Sequence, residues 1–134
     1  MVDRIEVGFF TYLTTHAGLS ALIGTRLWPL RLPQNVEYPC IRYRQVSNPP
    51  ELAHDGPVGL GHPRYQFDCY SPLHDEAWQV AQQLEFALHG FRGAMGTVTV
   101  QAGIVQDTRE DYDAVIEAYR VMLDAILWHD KEVS

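Results

Sequence analysis

Two segments that alternate apolar and polar side chains, separated by a long stretch rich in proline and glycine, constrain the fold of this chain most strongly. They are residues 40–46 (CIRYRQV) and 64–70 (RYQFDCY). Period-two alternation is typical of strands with one buried face. We expect two antiparallel neighbours joined by an excursion over residues 48–63. A structureless stretch of this length is uncommon in a compact domain and is often functional.

Helical periodicity begins near the N-terminus. Asp3 and Glu6 have the spacing of a capping box, flanked by Val2 and Val7 as a hydrophobic staple, and predict a helix over residues 3–15. A further helical turn is expected to end at a glycine. The apolar positions of the helix are Ile5, Phe9, Tyr12 and Leu13, and those of the turn are Leu19, Leu22 and Ile23, followed by Gly24.

The clearest helix lies in the middle of the chain. Ser71 is expected as its N-cap, with Pro72 at the first helical position and Gly90 at its end. Asp75 and Glu76 lie in the first turn, where the helix dipole favours acidic groups. Its apolar stripe consists of Leu73, Ala77, Val80, Ala81, Leu84, Ala87 and Leu88.

The remaining segments are shorter or more ambiguous. Residues 26–30 predict a short extended piece that Pro29 confines to an edge. Residues 90–96 indicate a turn, and residues 97–105 a strand with Val98, Val100, Ala102 and Ile104 on one side. Residues 107–117 hold five acids, which favour a solvated turn or second exposed loop, with a helix as the alternative. Residues 119–128 alternate and favour a strand over a helix.

These elements predict one α+β domain over residues 1–134. Its sheet is expected to be mostly antiparallel, with four to five strands, two helices packed on one face and a long inter-strand loop.

Charge and hydropathy exclude several classes of protein. The net charge of −7 argues against tight nucleic-acid binding, because such binding relies on lysine and arginine neutralising phosphates. DNA that passes nearby without being held is still compatible with this charge. No apolar run reaches the roughly 18 residues of a membrane span, and no signal-peptide pattern is found. We therefore expect a soluble, cytoplasmic protein that contacts no membrane.

The residues capable of chemistry do not form a known motif. The pairs His54-Asp55, His74-Asp75 and His129-Asp130 lack the convergent geometry that catalysis needs, and we interpret them as solvated polarity. No zinc spacing, nucleophile elbow or phosphate loop occurs, since the glycines of residues 56–61 precede no helix. Cys40 and Cys69 are expected to be reduced core thiols rather than a disulfide. We expect no enzymatic activity, no metal and no cofactor.

The three tryptophans are the remaining candidates. Tryptophan is enriched at protein interfaces but in a small domain more often belongs to the core. Trp78 lies one step off the main stripe of its helix, so among Trp28, Trp78 and Trp128 it is the one expected to face a partner, with a core-edge position as the alternative.

The order of these motifs resembles the tail-completion proteins of long-tailed bacteriophages, also described as tail terminators or head-to-tail joining proteins. The resemblance spans nearly the whole chain. It rests on Leu22, Gly24, Arg26 and Pro29, on Tyr38, Pro39 and Ile41, and on Gln66, Asp68, Tyr70 and Ser71. Most of these are structural positions, such as a helix stop or a strand start, and none carries a catalytic signature.

The resemblance implies a virion structural protein of a phage, prophage or gene-transfer particle, made in the bacterial cytoplasm. Such a protein assembles as a ring, commonly a hexamer, on the tail tube at the tail-head junction. Its partners would be further copies, the tail-tube protein and the head connector, with DNA passing through the channel without tight binding. A neck head-completion or connector-adaptor protein is the alternative, followed by an unrelated α+β small-molecule-binding module.

This resemblance assigns expected roles to two groups of residues. The excursion would be mobile in the free subunit and ordered against a neighbour. The expected assembly-interface residues are Glu51, His54, Asp55, Val58, Leu60 and Trp78. The expected channel-facing residues are Asp107, Glu110, Asp111 and Asp113, for which a solvated turn is the alternative explanation.

Overall fold

A computed structural model of the chain describes residues 5–48, 52–53, 56–57, 60–96 and 98–130. Within these residues the chain forms three helices and nine strands. The helices are α1 (Ile5–Thr15), α2 (Ala17–Ile23) and α3 (His74–Leu88). The strands are β1 (Leu27–Pro29), β2 (Cys40–Ser47), β3 (Leu52–Ala53), β4 (Gly56–Pro57), β5 (Leu60–Gly61), β6 (Arg64–Ser71), β7 (Gly93–Met95), β8 (Val98–Asp113) and β9 (Ala118–Asp130).

Six strands follow one another across the main sheet in the order β1-β2-β6-β9-β8-β7, and β5 adds to β9. The short β1 pairs with β2 in parallel, while the other pairs are antiparallel. The α+β class and the antiparallel pairing of β2 with β6 are confirmed. The expected four to five strands were too few, because β7 forms within the residues predicted to be a turn and β5 forms within the excursion.

The helices cover one face of the sheet and create the main core there. Phe9 packs edge-on against Tyr43, Tyr65 and Phe67, with ring centroids 4.9, 5.2 and 5.8 Å away. The predicted faces of α1 and α2 are confirmed by the burial of Ile5, Phe9, Leu13, Leu19 and Ile23. The predicted stripe of α3 is buried from Ala77 to Leu88, but Leu73 is 64% exposed. The capping residues Val2 and Asp3 lie outside the described residues.

The start of α3 differs from the prediction. Ser71 is the last residue of β6, and the helix begins at His74 with Leu73 as its N-cap. The Ser71 hydroxyl accepts from the Leu73 N–H at 3.0 Å and donates to Glu76 Oε1 at 2.7 Å. The serine therefore stabilises the chain ahead of the helix from the strand end, rather than as the N-cap before a proline.

The acidic run was predicted wrongly as a turn or loop, because it belongs to the long strand β8. Only residues 114–117 form the turn to β9, and the Asp113 carboxylate accepts from the Val115 N–H at 3.0 Å. Two bulges, at Gln101 and Gln106, shift the register of β8 against β9. The predicted alternation ends at the first bulge, so that Gly103 is buried and Ile104 is 39% exposed.

The excursion between β2 and β6 contains structure of its own where it is described. β3 pairs with β4, and Leu60 and Gly61 of β5 pair with Asp130 and His129 of β9. As predicted, the stretch leads into a strand and not a helix. Four of the predicted interface residues, Glu51, His54, Asp55 and Val58, lie outside the described residues.

Each cysteine is buried on a different face of the sheet, and both are free thiols as predicted. Cys69 lies in the main core, while Cys40 packs with Tyr70 and Ala118 in a smaller cluster on the opposite face. Burial raises the pKa of Cys40 to about 12 and that of Cys69 well above its ordinary value. In the part of the chain that the structure describes, no helix has the length and apolar character to cross a membrane.

Candidate assembly surface on strand β8 and helix α3

The four acids expected to share one channel wall lie on both faces of β8. Cross-strand partners lie on the same face of a sheet. Glu110 is opposite the buried Val121, on the side covered by the helices, whereas Asp111 is opposite Arg120 on the other side. Every second side chain of a strand lies on the same face, so Asp113 and Asp107, two and four residues from Asp111, lie on that same outer side. The structure therefore separates Glu110 from the other three acids.

Two of the expected channel acids on the outer side, Asp107 and Asp111, are paired with arginines. Arg120 donates from Nε to Asp111 Oδ1 at 2.8 Å and also from Nη2 to Oδ2. Arg109 Nη1 donates to Asp107 Oδ2 at 2.6 Å and to Asp124 Oδ2 at 2.9 Å. The hydrogen bond from Arg120 lowers the pKa of Asp111, and the two carboxylates beside Arg109 raise the pKa of that guanidinium. This side of β8 therefore carries compensated charges.

The same side of the sheet contains a buried polar network on β2 and β6. Asp68 is only 1% exposed and accepts from Arg42 Nε at 3.1 Å and Nη2 at 2.5 Å. Gln66 Nε2 donates to the other Asp68 oxygen at 2.8 Å, and Arg44 Nη2 donates to Gln66 Oε1 at 3.1 Å. Each oxygen of the buried carboxylate therefore has a donor, as burial of a charge requires.

On the helix side, Glu110 accepts two hydrogen bonds from α3. Trp78 Nε1 donates to Glu110 Oε2 at 2.7 Å, and His74 Nε2 lies 2.9 Å from the same oxygen. These bonds lower the pKa of Glu110, with the bond from His74 contributing most. The carboxylate is thus held by an imidazole and an indole, in contrast to the guanidinium partners of Asp111.

Exposed aromatic rings surround this carboxylate. Trp78 is 37% exposed and Tyr112 is 52% exposed. Tyr112 packs edge-on against Tyr119 at 5.0 Å between centroids, and Tyr119 in turn meets His74 at 5.2 Å. We call Glu110, His74, Trp78, Tyr112 and Tyr119 the aromatic-acid patch. Large aromatic side chains that remain exposed in this way are typical of binding hot spots.

Sequence reasoning singled out Trp78 and Glu110 separately but did not bring them together. His74 was considered only with its neighbour Asp75, whose carboxylate oxygen is 3.8 Å from His74 Nδ1 and almost fully solvated. The contacts of His74 and Trp78 with Glu110 join residues 36 and 32 positions apart. A strand reading of the acidic run would have placed Glu110 and Tyr112 on one face, since they are two residues apart.

A groove runs between α3 and β8. The start of α3 contacts Glu110, and near its end the Val105 N–H donates to His89 Nδ1 at 3.0 Å, so helix and strand run antiparallel. The groove has a volume of about 510 Å³. Its lining consists of Asp75, Trp78, Gln79, Ala81, Gln82, Glu85, Thr108 and Leu123.

Gly103 of β8 lies directly against the C-terminal end of α3. Its N–H donates to the Phe91 carbonyl at 2.9 Å and its own carbonyl accepts from the Gly90 N–H at 2.8 Å. A Cβ atom at position 103 would collide with the Leu88 carbonyl, so only glycine allows the helix end to approach the strand this closely.

The described residues form no cluster of side chains that could bind a metal ion. Among them, no group of three or more histidine, cysteine, aspartate or glutamate side chains could hold an ion. The His129 ring contacts the backbone carbonyl of Asp130 at 2.9 Å and not the Asp130 carboxylate. The arrangement around α3 and β8 is therefore suited to protein contacts through aromatic rings, a carboxylate and amide side chains.

The chain was compared with protein families, solved structures and curated protein sequences. The family model described as tail completion protein gp17 matches residues 8–130 of the chain. Sixteen chains of solved structures match. Among them is a chain from the virion of a native gene transfer agent particle, with a TM-score of 0.77, 12% sequence identity and coverage of 94% of this chain and 93% of that chain. No curated protein sequence matches the chain significantly.

Proposed function

The chain belongs to the tail completion protein gp17 family, and from this membership we propose that it is a virion structural protein that caps the tail tube as a ring and joins it to the head. The proposed ring is a hexamer at the tail-head junction, each subunit acting as one domain without enzymatic activity. The observation that carries the proposal is the family match over nearly the whole chain. The fold shared with a chain of a gene transfer agent virion supports it.

The placement of two candidate contact regions supports ring formation. A ring needs a heterologous interface, in which one patch of a subunit meets a different patch of the next. The excursion joins the sheet where Gly61 pairs with His129, and the aromatic-acid patch lies where Glu110 pairs with Val121. These two pairs are eight residues apart along β9, which corresponds to about 26 Å. The excursion can therefore meet a different face of the next subunit, while the aromatic-acid patch at the other end of β9 remains available to a further protein of the particle.

We assign the excursion, with Glu51, His54, Asp55, Val58 and Leu60, to contacts with a neighbouring subunit or with the tail tube. We assign Trp78 to a contact with another protein of the particle, made by the aromatic-acid patch at the other end of β9.

The outer side of β8 is our candidate for the channel lining. Asp107, Asp111 and Asp113 lie on this side, with Arg109 between them. A surface of paired charges with a surplus of carboxylates would let DNA pass without holding it, because the carboxylates repel phosphates. Glu110 faces the helices and is assigned to the contact patch.

The proposal is tested by removing the gene from its particle-producing host and examining the products by electron microscopy. We expect heads and tails that remain unjoined, and rescue by the unchanged chain supplied in trans. Joined, intact particles in the absence of the protein would refute the proposal. A pull-down that retains portal proteins without any tail-tube protein would favour the neck adaptor function.

A variant of the excursion separates folding from assembly. Replacing residues 51–59 with a glycine-serine segment of equal length keeps β5 and should leave thermal unfolding nearly unchanged while abolishing rescue. As a matched control, the same type of replacement in the β8–β9 turn, residues 114–117, tests whether any altered loop has this effect. Equal rescue by the excursion variant and the natural chain would remove the excursion from the interface.

A further inference from the structure

The groove beside the aromatic-acid patch has the size and shape of a site for a short extended segment. From Asp75 to Glu85, the first and last lining residues on α3, the helix rises over ten residues, or about 15 Å. About five residues of extended chain cover this distance. The volume of about 510 Å³ lies within the range of binding pockets in proteins.

The acidic side chains of the groove favour a positively charged occupant. The described lining of the groove includes two acids, Asp75 and Glu85, and no lysine or arginine, and Glu110 accepts a hydrogen bond from Trp78 of that lining. In the part of the chain that the structure describes, Glu110 accepts from Trp78 and His74, and no guanidinium cancels its negative charge. A carboxylate of this kind attracts an arginine, which pairs with it through two parallel N–H donors.

The aromatic rings reinforce this preference. A guanidinium is attracted to the faces of tryptophan and tyrosine rings, and this attraction strengthens as water is excluded. Trp78 and Tyr112 are both substantially exposed next to Glu110. Beyond them, the floor of the groove includes Ala81 and Leu123, which suit an apolar side chain.

The backbone edge of β8 indicates that side chains, rather than added strand pairing, hold the occupant. An exposed edge pairs readily with another chain unless its donors are blocked. The N–H of Gly103 is taken by the Phe91 carbonyl, that of Val105 by His89 and that of Thr108 by the Asp107 carboxylate at 2.9 Å. Three donors along the edge are therefore already used.

Four of the nine arginines of this chain are engaged elsewhere. Arg42, Arg109 and Arg120 form ion pairs, and Arg26 donates to the carbonyls of Pro39 and Leu22. A second copy also carries the net charge of −7, so a different protein is the more favourable source of an arginine for this acidic groove.

We propose that the groove between α3 and β8 binds an extended, arginine-bearing segment of another protein of the particle, with the arginine on Glu110 between Trp78 and Tyr112. A neighbouring apolar side chain of the segment occupies the groove above Leu123. This inference rests on the proposed role in the virion, and it specifies the chemistry of one partner.

The test uses the full chain and the indole N–H signals of its three tryptophans in nitrogen-proton NMR spectra. The probe is the peptide acetyl-Gly-Leu-Arg-Leu-Gly-amide, and the matched probe replaces arginine with citrulline, which has nearly the same shape without the charge. We expect the Trp78 signal to shift saturably with the arginine peptide, while Trp28 and Trp128 stay in place. The citrulline peptide should bind about tenfold more weakly, as expected for one charge-assisted contact.

Two variants with the same change of charge complete the test. Glu110→Gln keeps an acceptor for Trp78 and should reduce binding of the arginine peptide to the level of the citrulline peptide. Glu117→Gln changes an exposed acid in the β8–β9 turn and should bind as the natural chain does. Equal binding of the two peptides, no effect of Glu110→Gln, or no saturable shift of Trp78 would overturn the inference.

Two further outcomes identify what would be wrong. A shift of Trp78 that depends on protein concentration alone would show a second copy in the groove and overturn the assignment to another protein. Suppose that deletion of the gene leaves heads and tails unjoined and that the Glu110→Gln variant, supplied in trans, restores joined particles fully. This result would overturn the present inference and leave the proposed function standing. Intact particles without the protein would refute both.

Discussion

Phe67 and Asp68 are consecutive residues of β6, and both are almost completely buried, at 0% and 1% exposure. Phe67 lies under the helices, where aromatic rings from α1, β2 and β6 pack edge to face. Asp68 lies on the other side, where Arg42 and Gln66 supply its hydrogen bonds. The two faces of one sheet are thus stabilised by different forces.

The difference continues along the sheet to the consecutive residues Glu110 and Asp111. Asp111 is paired with an arginine on the outer side, whereas Glu110 faces an indole and an imidazole on the helix side. The density of acids in the sequence is the same at both positions. The partner that tertiary structure supplies decides whether a carboxylate remains available to another protein.

The largest effect is expected from breaking the apolar face. Phe9→Ala removes the ring that contacts Tyr43, Tyr65 and Phe67, and should lower the free energy of unfolding by about 3–5 kcal/mol. Chemical denaturation at neutral pH measures this change. A loss below about 1 kcal/mol would mean that the helix side is not the main source of stability.

The next effect concerns the polar face. Arg42→Ala leaves the buried Asp68 carboxylate with Gln66 as its remaining described donor, and we expect a loss of about 2–3 kcal/mol, since the arginine is itself partly exposed. The double variant Arg42→Met with Asp68→Leu should recover most of this loss, because an apolar pair avoids the buried charge. Denaturation of the three proteins checks the comparison, and a double variant that is no more stable than Arg42→Ala would contradict it.

A smaller effect is expected from the exposed ion pair of Asp111 and Arg120. Asp111→Asn should cost less than about 1 kcal/mol at pH 7, as is usual for a solvated pair. The pKa of Asp111 is lowered in the folded protein, so its contribution is present above the unfolded value of 3.8 and is lost as the pH falls through the lower folded value. Denaturation midpoints of both proteins should therefore differ at pH 7 and converge at acidic pH; a constant difference would exclude the charge as the cause.

The smallest effect concerns the segments that shield the two cysteines, and it is seen in the labelling rates of the thiols rather than in the stability of the protein. Burial raises the pKa of both thiols, so neither should react with a disulfide reagent at pH 8 in the native protein. With denaturant added below the unfolding transition, Cys40 should react before Cys69, because Leu32, Val36 and Tyr38 of an irregular segment cover it instead of helices. Mass spectrometry of the labelled peptides gives the order, and simultaneous labelling would show that both covers open together.

The sequence predicted those elements whose apolar residues follow a single period without interruption. β2, β6, β9 and the stripe of α3 were confirmed because each buries one face against the same core. The exposed Leu73 was included in the stripe because it continues the period, although the helix begins only after it.

The distal half of β8 could not be predicted from its composition. It carries charged or polar side chains on both faces, and these become compatible with a strand only through Arg120, Asp124, His74 and Trp78 from other elements. Two bulges also interrupt the period of two that identifies a strand.

The candidate site was predicted in part. Trp78 was singled out by its position on α3, and Glu110 by the acidic run, but their contact depends on the docking of α3 along β8. That docking is fixed by the close approach at Gly103, which the sequence shows only as one glycine in a strand.

The bulge at Gln106 decides which side chains of the distal half of β8 lie on each face of the sheet. Val105 and Asp107 lie on opposite faces although they are two residues apart, because Gln106 is the extra residue of the bulge. A regular strand that paired Gln106 with Asp124 would instead move Glu110 to the outer side and bring Arg109 and Asp111 beneath α3. Point substitutions in this half of the strand alter single contacts. Whether Gln106 is bulged or paired, by contrast, decides which side chains the whole distal half of β8 presents on each side of the sheet.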